Sequence, residues 1–116
     1  MAGATYYAKQ DDISSFTPKT VLRDGYGNPV DLTGATVRFI MRKYGASTPT
    51  VATAGEVVPP ATNGEVRYEW VAGDLDIPGL YLAEWEVTYA ADEIETFPAD
   101  GYIHVWVRED LDDPAP

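Results

Sequence analysis

Residues 80–89 alternate without a break: Tyr81, Ala83, Trp85, Val87 and Tyr89 fall on one side, Leu80, Leu82, Glu84, Glu86 and Thr88 on the other. A period of two is the geometry of a strand whose faces see different surroundings, and no helix can hold it. The signature recurs. Val37, Phe39 and Met41 oppose Arg38 and Arg42, with Ile40 as a greasy exception; Val66, Tyr68 and Trp70 oppose Glu65, Arg67 and Glu69; Ile103, Val105 and Val107 oppose Tyr102, His104 and Trp106. No window of about 11 residues keeps a helical period. Ten glycines and nine prolines cut the chain into short pieces.

Seven strands are expected, over residues 16–23, 37–43, 51–58, 65–70, 80–89, 93–97 and 102–107. Pro18 has no N–H to donate and puts the first at an edge or at a break. Gly55 marks an irregularity in the third. Residues 24–29 form a dense turn cluster, Asn63-Gly64 predicts a type I′ hairpin, and Pro78-Gly79 suits a type II turn. Short strands at this spacing argue for an antiparallel β-sandwich, with a small barrel as the rival. The expected core is Val37, Phe39, Met41, Val66, Tyr68, Trp70, Tyr81, Ala83, Trp85, Val87, Phe97, Ile103 and Val105. With 116 residues and 45% hydrophobic side chains, the chain has enough apolar surface for one such core and only one. The domain reading is an N-terminal arm over 1–13, a sandwich over 14–108 and an acidic tail over 109–116.

Charge and cysteine content narrow the function. Eight Lys and Arg against nineteen Asp and Glu give a net charge of -11. Nucleic-acid binding needs basic side chains on phosphates, so no nucleic-acid partner is expected, and an anionic membrane is disfavoured for the same reason. No segment reaches the ~20 apolar residues of a membrane helix. The N-terminus lacks the basic-then-apolar pattern of a secretory signal, which predicts synthesis in a cytoplasm without a cleaved leader. There is no cysteine, hence no disulfide, no zinc–thiolate site and no Cys nucleophile.

The chemistry-bearing residues do not assemble into a catalytic pattern. Glu84/Glu86 and Glu93/Glu95 are carboxylate pairs on strand faces, with no apolar pocket or third group in view; Arg38 and Arg42 are expected across from Glu84 and Glu86 as ion pairs. His104, the single histidine, alternates with core residues and reads as a surface imidazole. Asp24, Asn28 and Asp31, and Asp110, Asp112 and Asp113, lack the spacing of a calcium loop; the first group suits turn formation. Gly25-Tyr26-Gly27 lacks the third glycine and the helix that a phosphate loop needs. No catalytic residue, metal or cofactor is therefore expected. Six aromatics fit no core position: Tyr6, Tyr7, Tyr26, Tyr44, Tyr102 and Trp106. Tyr and Trp are enriched at protein interfaces, and these six are the interface candidates.

The run Asp24-Gly25-Tyr26-Gly27-Asn28-Pro29-Val30-Asp31-Leu32-Thr33-Gly34-Ala35-Thr36-Val37, followed by residues 64–70, 78–87 and 95–98, resembles the Ig-like N-terminal domain of tailed-phage baseplate upper proteins and related small phage virion proteins. The resemblance spans residues 15–108; the 24–37 run is its specific part. It implies an all-β, Ig-like antiparallel β-sandwich of about seven strands without a disulfide. Gly79-Leu80-Tyr81 would form a tyrosine corner, and Ala83 would stand where an immunoglobulin cysteine does. It also implies a non-enzymatic virion structural protein in the tail or baseplate, present in multiple copies and docked on other phage virion proteins through its arm and tail. Baseplate upper proteins continue beyond this module, which leaves capsid decoration and host-receptor or carbohydrate binding as alternatives.

Overall fold

The computed structural model describes residues 5–13, 16–109 and 111. Nine strands are present among them: β1 (Thr5–Lys9), β2 (Thr20–Val21), β3 (Thr36–Lys43), β4 (Val51–Ala54), β5 (Glu56–Val57), β6 (Glu65–Arg67), β7 (Gly79–Thr88), β8 (Ile94–Phe97) and β9 (Ile103–Arg108). One sheet runs β1-β9-β7-β3-β4, with β8 beside β7; the other runs β2-β6-β5. This is an Ig-like β-sandwich. Each sheet turns one apolar face inward, because two such faces are removed from water only by meeting.

The period-two segments became the centre of the large sheet. β3 pairs antiparallel with β7 over its full length, from Thr36↔Thr88 to Lys43↔Tyr81. β9 pairs with the first half of β7 and β8 with the second half, so one edge of β7 is served by two successive segments. All thirteen expected core residues are buried. Leu22, Leu32, Val51, Leu75 and Val107 join them. At the centre, Phe39 and Trp85 lie opposite each other in the ladder, with ring centroids 5.0 Å apart. Tyr68 stacks on Phe39 from the other sheet at 5.2 Å, and Trp70 meets Phe39 edge-on at 5.9 Å. Burying each large side chain of this kind contributes about 1.5–3 kcal/mol.

Two of the nine strands were not expected as such. The first is β1. Residues 5–9, expected within the N-terminal arm, form an edge strand parallel to β9 from Thr5↔His104 to Lys9↔Arg108, which makes the large sheet mixed. Tyr6 and Ala8 pack against the core, and the chain beyond is tied down by Gln10 N–H to Arg108 O and Asp11 N–H to Leu75 O. The second is the split of the expected 51–58 strand at Gly55, where the chain leaves the large sheet as β4 and enters the small one as β5. A Cβ on Gly55 would collide with the Trp85 ring and lie 3.2 Å from Arg67 O, so the crossing runs close over the core indole.

Two turn expectations and one strand expectation need correction. Asn63-Gly64 is not a type I′ hairpin: residues Ala61–Asn63 form a 3-10 turn, and only Gly64 has positive φ, at 68°. Pro78-Gly79 is not a type II turn; Gly79 opens β7. The first expected strand is reduced to β2 with bridges at Phe16↔Glu69 and Arg23↔Pro29. The tyrosine corner is present, with Tyr81 Oη donating to Ile77 O at 2.7 Å. The 24–28 turn is built by Asp24, whose Oδ1 accepts from Tyr26 N–H and Asn28 N–H at 2.9 and 3.0 Å.

Candidate interaction surface

Strand register decides where the surface aromatics lie relative to one another. On the outward face of the large sheet, Tyr7 of β1 stands opposite Trp106 of β9, and Trp106 opposite Leu80 of β7. Tyr44 extends this row. It follows β3, and its N–H donates to Leu80 O at 2.9 Å, so it continues the β3–β7 pairing in the outward phase. The row Tyr7–Trp106–Leu80–Tyr44 thus crosses the sheet through four chain segments. Tyr44 is 67% exposed, Tyr7 63% and Trp106 40%.

A neighbouring row holds Thr5, His104, Leu82 and Arg42. Beyond it Tyr102, 44% exposed, lies beside Glu84 and Ile40, where a shallow depression is lined by Ile40, Arg42, Pro49, Leu82, Glu84 and Tyr102. Four of the six aromatic candidates therefore share one face: Tyr7, Tyr44, Tyr102 and Trp106. The other two do not. Tyr6 points inward and its Oη hydrogen-bonds Thr20 Oγ1 at 3.2 Å, linking β1 to β2. Tyr26 is 93% exposed at the tip of the 24–28 turn, away from the sheet face.

The face is charged as well as aromatic. Its strand residues include four basic side chains, Lys9, Arg38, Arg42 and Arg108, and two acidic ones, Glu84 and Glu86. Arg38 Nη1 donates to Glu86 Oε1 at 2.9 Å, the ion pair expected from sequence. The second expected partner differs: Arg42 stands across from Leu82, and Glu84 across from Ile40. An exposed pair such as Arg38–Glu86 is worth about 0–1 kcal/mol. Arg108 lies over the Tyr7 ring, 5.0 Å from its centroid, and holds that ring against the sheet.

Sequence reading missed Leu80, Leu82 and Ile40 as parts of this surface. Their period-two phase was visible, but the row they complete depends on register across three strands, which alternation within one strand does not carry.

The other ionisable groups serve local structure. Glu95 Oε1 accepts from Tyr89 Oη at 2.7 Å, and burial together with this carboxylate pushes the Tyr89 phenol up to about 12. Asp31 is held below the usual carboxylate range by hydrogen bonds from the Thr33 hydroxyl and N–H. Glu56 is lowered by its hydrogen bond from Arg67 Nε at 2.6 Å. Among the described residues no group of three or more His, Cys, Asp or Glu side chains is placed to hold a metal ion, and no helix is long and apolar enough to cross a membrane.

No protein-family model and no curated protein matches the chain. Among solved structures it is similar to CopC from Methylosinus trichosporium OB3b, at 12% identity and a TM-score of 0.48, over 92% of this chain and 86% of that one.

Proposed function

We propose that the chain is a non-enzymatic bacteriophage virion structural protein, an Ig-like interaction module of the tail or baseplate that docks on neighbouring virion proteins and is present in multiple copies. One observation carries the interaction half of this reading: an exposed cross-strand row of Tyr7, Trp106, Leu80 and Tyr44 on a rigid sheet. Aromatic anchors flanked by arginines are the composition of interface centres, and a sheet presents them without the ordering cost of a loop. The phage half rests on the likeness of the 24–37 run and the segments after it to baseplate upper proteins. Residues 5–9 of the arm act as an edge strand, residues 1–4 and most of the 109–116 tail lie outside the described residues, and the sheet face is the docking surface proposed.

The test is antibody labelling of purified particles of the phage that encodes the chain, with labelled wild type and Trp106→Ala compared for incorporation. Label at the tail or baseplate, lost in the variant, supports the reading. Label on the shell would reassign the module to capsid decoration, and particles without the chain would overturn a structural role altogether.

A further inference from the structure

We infer that the aromatic sheet face takes the acidic loop end of a second copy of this chain, so that copies join face to end. This rests on the reading of that face as an interaction surface and names its partner. Half of the chain's eight basic residues, namely Lys9, Arg38, Arg42 and Arg108, lie on this one face, while the whole chain carries nineteen acidic ones. One end of the sandwich is the reverse. The 24–35 and 89–93 connections lie together there, since a Cβ on Gly34 would sit 3.4 Å from the Cβ of Ala90. That end exposes Asp24, Asp31, Asp92, Glu93 and Glu95. Arg23 is beside them, its Nη1 donating to Gly27 O at 3.0 Å.

Three pairings of two copies are available. Face to face opposes two surfaces on each of which four basic side chains outnumber the two acidic ones, Glu84 and Glu86. End to end opposes two sets of carboxylates. Only face to end opposes patches of unlike net sign, and complementary potential is what fixes register and excludes wrong pairings. Because the two patches differ, a docked pair keeps one free face and one free end, and association propagates as a chain or ring instead of closing at a dimer. Five strands at about 4.8 Å spacing and about 17 Å of strand length give a footprint of about 400 Å². That is about half of what one partner contributes to a standard stable interface. The contact is therefore weak in dilute solution and effective where copies are already concentrated, as on a particle. A net charge of -11 per copy adds long-range repulsion, which salt screens to about 8 Å at physiological ionic strength.

The experiment is sedimentation equilibrium of the full chain up to about 1 mM at physiological ionic strength. A face variant carries Trp106→Ala and Arg42→Glu; an end variant carries Asp92→Asn, Glu93→Gln and Glu95→Gln. Thermal midpoints confirm that both fold. Wild type is expected to associate with rising concentration, and each variant to associate about tenfold more weakly. Mixing the two variants is expected to restore one contact and stop at a dimer, because an intact face then meets an intact end. Three results would overturn the inference: a monomeric wild type, variants that associate as wild type does, or a mixture no stronger than its components. A monomeric wild type that still labels the tail would sink the self-pairing alone and leave the docking module standing.

Discussion

The two sheets hold together by different means. In the large one, β3 and β7 run eight paired residues in register, and the backbone ladder does most of the fixing. In the small one, β2 and β5 have two residues each and β6 has three. Runs that short leave backbone groups to be satisfied elsewhere. Side chains and close approaches take over. Thr17 N–H donates to Tyr68 O while Thr17 Oγ1 accepts from Tyr68 N–H. Buried Asp74 Oδ2 accepts from both Tyr68 Oη and Val71 N–H. Gly64 sits where Leu22 and Val30 pass over it, its carbonyl accepting from Leu22 N–H. A long ladder tolerates local change; a sheet assembled from particular atoms depends on each of them.

The largest effect is expected where the sheets meet. Trp85 is fully buried on β7, and its ring reaches beneath the Gly55 crossing between them. Trp85→Ala should cost on the order of 3–5 kcal/mol, a large share of the roughly 5–15 kcal/mol by which a domain is stable. Trp85→Phe separates the causes. It loses volume, but it also removes an indole N–H that is buried with no hydrogen-bond partner among the described residues. Urea unfolding should therefore find Phe clearly less costly than Ala. Equal losses would mean that the bicyclic ring's shape alone matters at the crossing.

Gly64 and Gly27 test the small sheet's dependence on close approach. Both have positive φ, at 68° and 86°. A Cβ at Gly27 meets nothing within 4 Å, whereas at Gly64 it would lie 2.8 Å from Leu22 O and 2.9 Å from Val30 N and O. Gly27→Ala should cost only the left-handed strain, roughly 1–2 kcal/mol. Gly64→Ala adds overpacking against backbone, roughly another 1–3 kcal/mol. Similar urea midpoints for the two variants would show that the small sheet shifts freely, and the contrast between the sheets would fail.

This difference also explains what the sequence made legible. The expected core positions on β3, β7 and β9 were right because those strands alternate, and burial follows alternation directly. The small sheet was legible in its inward phase, with Val66, Tyr68 and Trp70 buried, but not in its turns. Asn63-Gly64 carries a hairpin signal in isolation; the approach of residues 22 and 30 to Gly64, a tertiary fact, set the conformation instead. β1 was missed because Thr5–Lys9 alternates Thr, Tyr, Tyr, Ala and Lys, in which only Ala8 and Tyr6 face inward and Tyr7 is as aromatic as its neighbour. For the surface, the residue types were legible and their assembly was not. Tyr7, Trp106 and Tyr44 are separated in sequence and are brought into one row by pairing with β9 and β7.

The smallest effect lies in alkaline solution, and it too separates the sheets. Burial, and then the Asp74 carboxylate, raise the Tyr68 phenol well above its ordinary value of 10.0 in the fold. The folded state therefore holds a proton that the unfolded chain releases above pH 10. Stability from this group is complete below pH 10 and falls as pH rises beyond it, because the unfolded state then binds fewer protons than the native one. Tyr89 and Tyr81 are also raised and add to the loss, Tyr89 through a window from 10 to about 12. Tyr68→Phe removes one of these titrations and one bond to Asp74. At neutral pH it should be destabilising by about 1–3 kcal/mol, since the buried Asp74 carboxylate loses a charged hydrogen bond and Oδ2 keeps only the Val71 N–H. Between pH 9 and 11.5 its urea midpoint should then fall less steeply than that of wild type. Parallel slopes would place the alkaline sensitivity in Tyr89 and Tyr81 of the large sheet, and the small sheet's buried Tyr68–Asp74 bond would have no part in it.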